Sequence, residues 1–512
     1  MNRNLVFACA LWLMSAISMC AADVLPITGS WVNLFYQDQR NRFSNPQDID
    51  CTNPALWRAK MCEMHSMGIE YAVIMAVANE GKACYPSQLM PHAYAHRQSP
   101  VDAIIAAADS LGMKVFLSIG WAKDQDDNLR NKATLRRQLQ IMSELARIYG
   151  NRQSFYGWYL PVEDCLGPVL SDHAVEAVNS LVAQAHSITP GKKTLISPYG
   201  FFRCDFADPR FAKQIERLKV DIIAYQDEVG CVRQPYPMPQ LMQAWKEMKR
   251  IHDRTNIEFW ANCELFTWTD DTNSRSSALV PAAMPRVISQ LVAASQGGVS
   301  RIISFMTCGI WDLATHGFAL GDPLTAQSAA RQYMSWRNGD PLLRTLEQSM
   351  CGTLPNLLPR QTHGALTDGV TALEDPSDKA WQRFDAGTHR ITLDAQPNAK
   401  RLFIRLLNST KSKLFAPEQI TLRAITEDGD TLAIDSTTTQ PYPYSRHDTW
   451  IDGIMLNLVP REACREACHE VCHEVCHEAI DGESKSTKRQ GKWIIELQST
   501  RPFAIDEIYA LP

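Results

Sequence analysis

From residue 29 to 338 the chain repeats one hydrophobic and polar pattern. An apolar, β-branched or aromatic run comes first, a polar loop and an amphipathic helical stretch follow, and the cycle restarts. The eight runs are Ser30–Tyr36, Tyr71–Val77, Lys114–Ile119, Tyr156–Val162, Lys193–Ser197, Asp221–Tyr225, Glu258–Cys263 and Arg301–Met306. Between them the spacing predicts helices over Ala103–Leu111, Thr134–Tyr149, Val175–Ser187, Met242–His252 and Pro285–Ser295. Gly112, Gly150, Pro190 and Gly297-Gly298 stand just past their ends, where C-terminal stop signals belong. Eight such units predict an α/β fold, a TIM (β/α)8 barrel over residues 25–338. A doubly wound open sheet would need a glycine-rich phosphate loop after its first strand, and Gln37-Asp38-Gln39-Arg40 cannot form one.

After Gly339 the pattern shifts to short alternating runs with turn signals: Arg390–Leu393, Arg401–Leu407, Ile420–Ala424 and Trp493–Leu497. That predicts a smaller all-β sandwich over 339–512. Within it, residues 462–478 hold a four-residue repeat carrying Cys464, Cys468, Cys472 and Cys476, with His469, His473 and His477 beside three of them. Either it is a tandem duplication lengthening a loop, or a Cys/His tract able to take zinc. The reading assigns no metal and no cofactor.

The first 22 residues read as a signal peptide: Arg3, then an apolar run from Leu5 to Ile17 too short for a comfortable span, then small residues before Ala22. Cys20 offers the alternative of a lipid anchor. Both predict a periplasmic or secreted protein, where disulfides persist. Nine cysteines lie outside the leader and the repeat, an odd number, so at least one thiol stays unpaired. Cys51 with Cys84, and Cys204 with Cys231, fall in neighbouring loops. A net charge of -5, with no basic stripe, argues against a nucleic-acid partner.

A TIM barrel performs its chemistry at the C-terminal ends of its strands. Here those ends carry Asn79-Glu80, Trp121, Glu163-Asp164, Tyr199, Tyr225-Gln226-Asp227-Glu228, Asn262 with Glu264, and Thr307 with Trp311-Asp312. Acids and aromatics dominate and histidines do not. Glycosidic cleavage needs one carboxyl as proton donor and another as nucleophile or base, ~5–5.5 Å apart for retention and ~6.5–9.5 Å for inversion. Glu163 after strand four and Glu264 after strand seven meet that need from opposite walls, and Glu163 with Asp227 is the rival pair. Trp31, Trp121, Tyr199, Trp268 and Trp311 are candidate sugar-stacking faces. Asn79, Glu80, Tyr225, Gln226 and Asn262 complete the candidate substrate contacts.

The segments Trp158–Glu163, Ala224–Gly230 and Trp260–Glu264 resemble an uncharacterised glycoside-hydrolase-like barrel family common in gut Bacteroidetes. Acids after strands four and seven are also the arrangement of the large retaining clan of TIM-barrel glycoside hydrolases. The resemblance implies Glu163 as general acid/base, Glu264 as nucleophile and a carbohydrate substrate. One position departs: the clan has Asn before the acid/base, and this chain has Val162. Leu366–Gly369, Trp381, Ile391–Asp394 and Phe503–Ile508 resemble discoidin-like (galactose-binding-like) domains, many of which bind sugars and some calcium. The leading expectation is a glycosidase. A non-catalytic glycan-binding barrel is the alternative, and a deacetylase or lyase is weaker.

Overall fold

The computed structural model describes residues 23–34, 50–94, 99–120, 131–230, 236–268, 279–322, 324–360, 364–426, 428–440, 448–458 and 490–512. Gln37, Asp38, Trp121, Cys231, residues 1–22 with Cys20 and the 462–478 repeat lie outside these residues. Eight parallel strands close a barrel: β1 (Ile27–Val32), β2 (Tyr71–Ile74), β3 (Lys114–Ser118), β4 (Phe155–Tyr159), β5 (Lys193–Ile196), β6 (Ile222–Gln226), β7 (Glu258–Glu264) and β8 (Arg301–Phe305). Each is followed by a helix: α1 (Pro54–Ser66), α2 (Pro100–Leu111), α3 (Lys132–Tyr149), α4 (Asp172–Ile188), α5 (Pro209–Arg217), α6 (Met238–His252), α7 (Met284–Gln296) and α8 (Thr325–Arg337). This is the predicted TIM barrel.

Local chemistry explains where the helices begin. Asn53-Pro54, Ser99-Pro100 and Asp208-Pro209 each set a side-chain acceptor before a proline. The three side chains accept from Ala55 N, Asp102 N and Arg210 N respectively. Asp340-Pro341 repeats the device and opens a ninth helix, α9 (Pro341–Met350), where strand-like runs were expected from Gly339 onward. Strand alternation then fills the barrel. Tyr71, Phe116, Tyr156 and Trp260 meet edge to face inside its N-terminal half, with Arg301 over Tyr71 and Trp260. That plug leaves the C-terminal end as the mouth.

The barrel closes where β1 pairs with β8. Near that seam Lys60 of α1 is only 1% exposed. Its Nζ lies 2.9 Å from Glu63 Oε2 and 2.6 Å from Asp312 Oδ1, in the loop after β8. Asp312 also accepts from the amides of Ala314, Leu320 and Gly321.

Behind α9 come two antiparallel four-stranded sheets. Their strands are β9 (Gln382–Phe384), β10 (Gly387–Asp394), β11 (Arg401–Ser409), β12 (Gln419–Thr426), β13 (Thr431–Thr438), β14 (Thr449–Asn457), β15 (Gln490–Ser499) and β16 (Phe503–Leu511), ordered β9-β16-β11-β14 and β10-β15-β12-β13. Leu393, Leu402, Ile420, Trp493 and Ile505 belong to the core cluster that the strands of both sheets share, as in a sandwich. Phe403, Leu407, Ile451 and Tyr509 instead join the barrel's core.

The joint carries a buried acid. Glu374, 9% exposed, accepts from Ser289 Oγ of α7 at 2.7 Å and from Ile451 N of β14 at 3.3 Å. Burial pushes its carboxyl from 4.5 up to about 7, and the two hydrogen bonds only partly oppose this. The folded protein therefore holds a proton that the unfolded chain releases, so stability falls as pH rises from about 4.5 to about 7. The loss amounts to about 3 kcal/mol. Glu374→Gln keeps an acceptor for Ile451 N and cannot ionise. Urea unfolding should find it more stable than the parent at pH 8 and level with it at pH 4.5. A wild-type gap that persists unchanged at both pH values would refute this.

Candidate functional site

The site is built from residues that alternation turns inward. On β7, Trp260 touches Tyr71 and Phe116 inside the barrel, so Asn262 and Glu264 follow on the same side. Asn262 Nδ2 donates to Ser197 Oγ at 3.1 Å, and Gln226 Nε2 donates to Ser197 O at 2.9 Å, which ties the ends of β5, β6 and β7 together. Glu264 ends β7, is 3% exposed, and accepts from Gly230 N at 2.9 Å through Oε2.

On the facing wall the rings of Trp31 (β1) and Tyr159 (β4) pack edge to face, centroids 4.5 Å apart. These strands are not neighbours in the barrel, so both rings stand in its interior. Tyr159 Oη donates to Glu163 Oε1 at 3.4 Å. Glu163 is half-buried beyond the strand end, whereas Asp164 is engaged by Cys165 N and by Ser171 Oγ at the cap of α4. Tyr199 is 39% exposed, and its segment bridges to Cys165. Its hydroxyl titrates above the usual tyrosine range because of burial, then because of Cys165, Asp164 and Glu163. Glu163 thus accepts from one buried tyrosine, and its charge acts on a second, open one.

Several polar atoms here are buried with no partner among the described residues: Trp31 Nε1, Asn79 Oδ1, Asn262 Oδ1 and Trp268 Nε1. Each costs about 1–3 kcal/mol unless something meets it. Trp268 is half-buried in a short ribbon, 266–268 against 279–281. Glu80 is exposed at the turn of the 78–83 hairpin, with a left-handed φ of 50°.

Three of the sequence candidates face away from the mouth. Tyr225 is buried on the outer side of β6, its hydroxyl 2.8 Å from His252 Nε2 of α6. Trp311 is buried against Tyr333 of α8, centroids 4.5 Å apart. Asp227 follows inward-facing Gln226 and so points outward; it is 0% exposed and accepts from Glu264 N, Val229 N and Gln290 Nε2. Burial raises its carboxyl above the ordinary range, against those hydrogen bonds. Glu228, also buried, accepts from Phe201 N. Sequence reasoning missed Tyr159, Ser197 and the Gly230 amide; counting alternate positions back from Glu163 would have found the first.

Cys165 and Cys204 both pack against Gly200, and Cys51 and Cys84 are both buried. Among the described residues no group of three or more His, Cys, Asp or Glu side chains is gathered for a metal ion, and no helix is long and apolar enough to cross a membrane.

Fold and mouth together define a TIM-barrel protein with acids at the strand ends. The family described as a domain of unknown function (DUF4434) matches residues 27–313, and the chain belongs to it. No curated protein matches. Similar solved structures are glycoside hydrolases. A Bacteroides thetaiotaomicron protein crystallised as a candidate alpha-L-fucosidase aligns over 64% of this chain and 97% of its own, at 18% identity and a TM-score of 0.50. A glycoside hydrolase family 5 protein from Bacteroides vulgatus aligns over 93% and 89%, at 10% identity and TM-score 0.38. An endo-1,4-beta-mannanase from Rhizomucor miehei aligns over 61% and 95%, at 12% identity and TM-score 0.38. The first likeness is one of fold.

Proposed function

We propose that the protein is a retaining glycoside hydrolase acting on an oligo- or polysaccharide, with Glu264 as nucleophile and Glu163 as acid/base. The observation that carries this is the contrast between the surroundings of the two carboxyls. One carboxylate is buried and oriented by a backbone amide, and the other is half-buried and accepts from the Tyr159 hydroxyl. Two carboxyls in different surroundings can take different roles. Glu264 attacks the anomeric carbon while Glu163 gives its proton to the departing oxygen. Glu163 then takes a proton from water, which attacks the same carbon and releases Glu264.

Tyr199 supplies an exposed ring for a sugar face. Trp31 Nε1 and Asn262 Oδ1 supply a buried donor and acceptor for hydroxyls. Asn262 also stands in for the asparagine that Val162 replaces. A panel of polysaccharides and aryl glycosides, with the anomer of the product followed by NMR, tests the reading. Retention is expected, and binding without any turnover would favour the non-catalytic alternative.

Glu163→Gln should lower kcat/KM by about 10²–10⁴-fold on substrates with poor leaving groups. Dinitrophenyl glycosides, which need little proton donation, should be nearly unaffected. Equal losses on both would remove Glu163 from the acid role.

A further inference from the structure

We infer that Asp227 and Gln290 are positioning residues for Glu264, holding its carboxylate from behind the barrel wall. This rests on the hydrolase reading above. The peptide of Glu264 is clamped on both sides. Its N–H donates to Asp227 Oδ1 at 3.1 Å, and its carbonyl accepts from Gln290 Nε2 at 3.1 Å and Arg286 Nη2 at 3.0 Å. Gln290 Nε2 also donates to Asp227 Oδ2 at 2.7 Å, so one amide group of α7 holds both the clamp and the clamped peptide.

The same aspartate shapes the turn that reaches over to the carboxylate. Asp227 Oδ1 accepts from Val229 N at 3.4 Å, and Asp227 N donates to Asn262 O at 3.1 Å. The turn then delivers Gly230 N to Glu264 Oε2 at 2.9 Å. A β-carbon at residue 230 would stand 2.1 Å from Phe266 O, so only glycine brings that amide so close. Gln226 inside, Asp227 outside and Gly230 above thus act as one bracket around the end of β7. Asp227 is buried away from the mouth, where it cannot pass a proton to a sugar, and it fixes the group that does the chemistry. Misplacement of a reacting atom by about 1 Å costs on the order of 10²-fold in rate.

The test compares Asp227→Asn, Gln290→Met and the double variant with the wild-type full chain. Asp227→Asn sets a donor against Gln290 Nε2; Gln290→Met removes the donor while filling its volume. Hydrogen–deuterium exchange is expected to speed at least tenfold in peptides spanning 226–230 and 262–266, with other barrel peptides unchanged. On a panel of dinitrophenyl glycosides, kcat should fall about 10²-fold with KM within threefold. The double variant should lose no more than the worse single one, as expected for groups acting as a unit. Covalent labelling of Glu264 by a panel of 5-fluoroglycosyl fluorides should slow in parallel.

If Asp227→Asn does not fold, Gln290→Met carries the same readouts. Folded variants with wild-type exchange and kcat overturn the inference. So does labelling that lands on Asp227. If Glu264→Ala stays active, or the wild-type protein cleaves nothing in the panel, the hydrolase reading has failed and this one falls with it. If Glu264→Ala is inactive while both positioning variants turn over normally, only this one has.

Discussion

Glu264→Ala protein should lose hydrolysis by at least ~10⁴-fold, because removing an attacking group deletes the step it performs. Truncation also frees space beside an amide donor, Gly230 N, that now holds a carboxylate oxygen at 2.9 Å. Azide is small and anionic, and it suits that space. Added azide should attack the anomeric carbon directly, with Glu163 still protonating the leaving oxygen. The product is then a glycosyl azide of anomeric configuration opposite to the substrate, identified by mass spectrometry and NMR. A Glu264→Ala enzyme with undiminished turnover would end the assignment of a nucleophile to β7.

The second large effect is on stability. Lys60→Met should cost about 3–5 kcal/mol at pH 7, the range for stripping one partner from a buried ion cluster. Lys60 is the cation between Glu63 and Asp312, each buried and all within 2.6–3.1 Å of its Nζ. Burial and then the Asp312 charge raise the Glu63 carboxyl above its ordinary range, and Lys60 pulls it back. Without the lysine that carboxyl rises further, so protonation relieves the variant. The deficit should therefore shrink as pH falls from 7 toward 5. Urea unfolding at the two pH values measures it, and a deficit below about 1 kcal/mol at pH 7 would show the cluster contributes little.

Much of the barrel was legible because its strands are apolar runs and its longer helices have strong periodicity. All eight runs overlap observed strands, Lys114–Ile119 against Lys114–Ser118 for one. Four helices escaped notice: α8, which has no side-chain cap at its start, and α1, α5 and α9, which are short or weakly amphipathic. The real signature of these last three was a capping Asn or Asp followed by proline. The mouth was harder. Tyr225, Gln226 and Asp227 are consecutive, and a strand sends only the middle one inward. Treating a strand end as a set of equals therefore drew Tyr225 and Asp227 into the cleft. Trp311 misled for another reason: its partner Tyr333 lies in a helix that only the closed barrel brings near. The Gly230 contact is a main-chain one, and residue types along the chain do not disclose it.

Helix α7 has a consequence for how this architecture can change over time. One of its turns grips the end of β7 through Arg286 and Gln290, and between them Ser289 hooks the sandwich through Glu374. The rear domain is therefore not a cassette that recombination could swap while leaving the front half indifferent. Any replacement would have to present an acceptor to Ser289 and an apolar face to the barrel's core. Barrel and sandwich are held together as one mechanical unit.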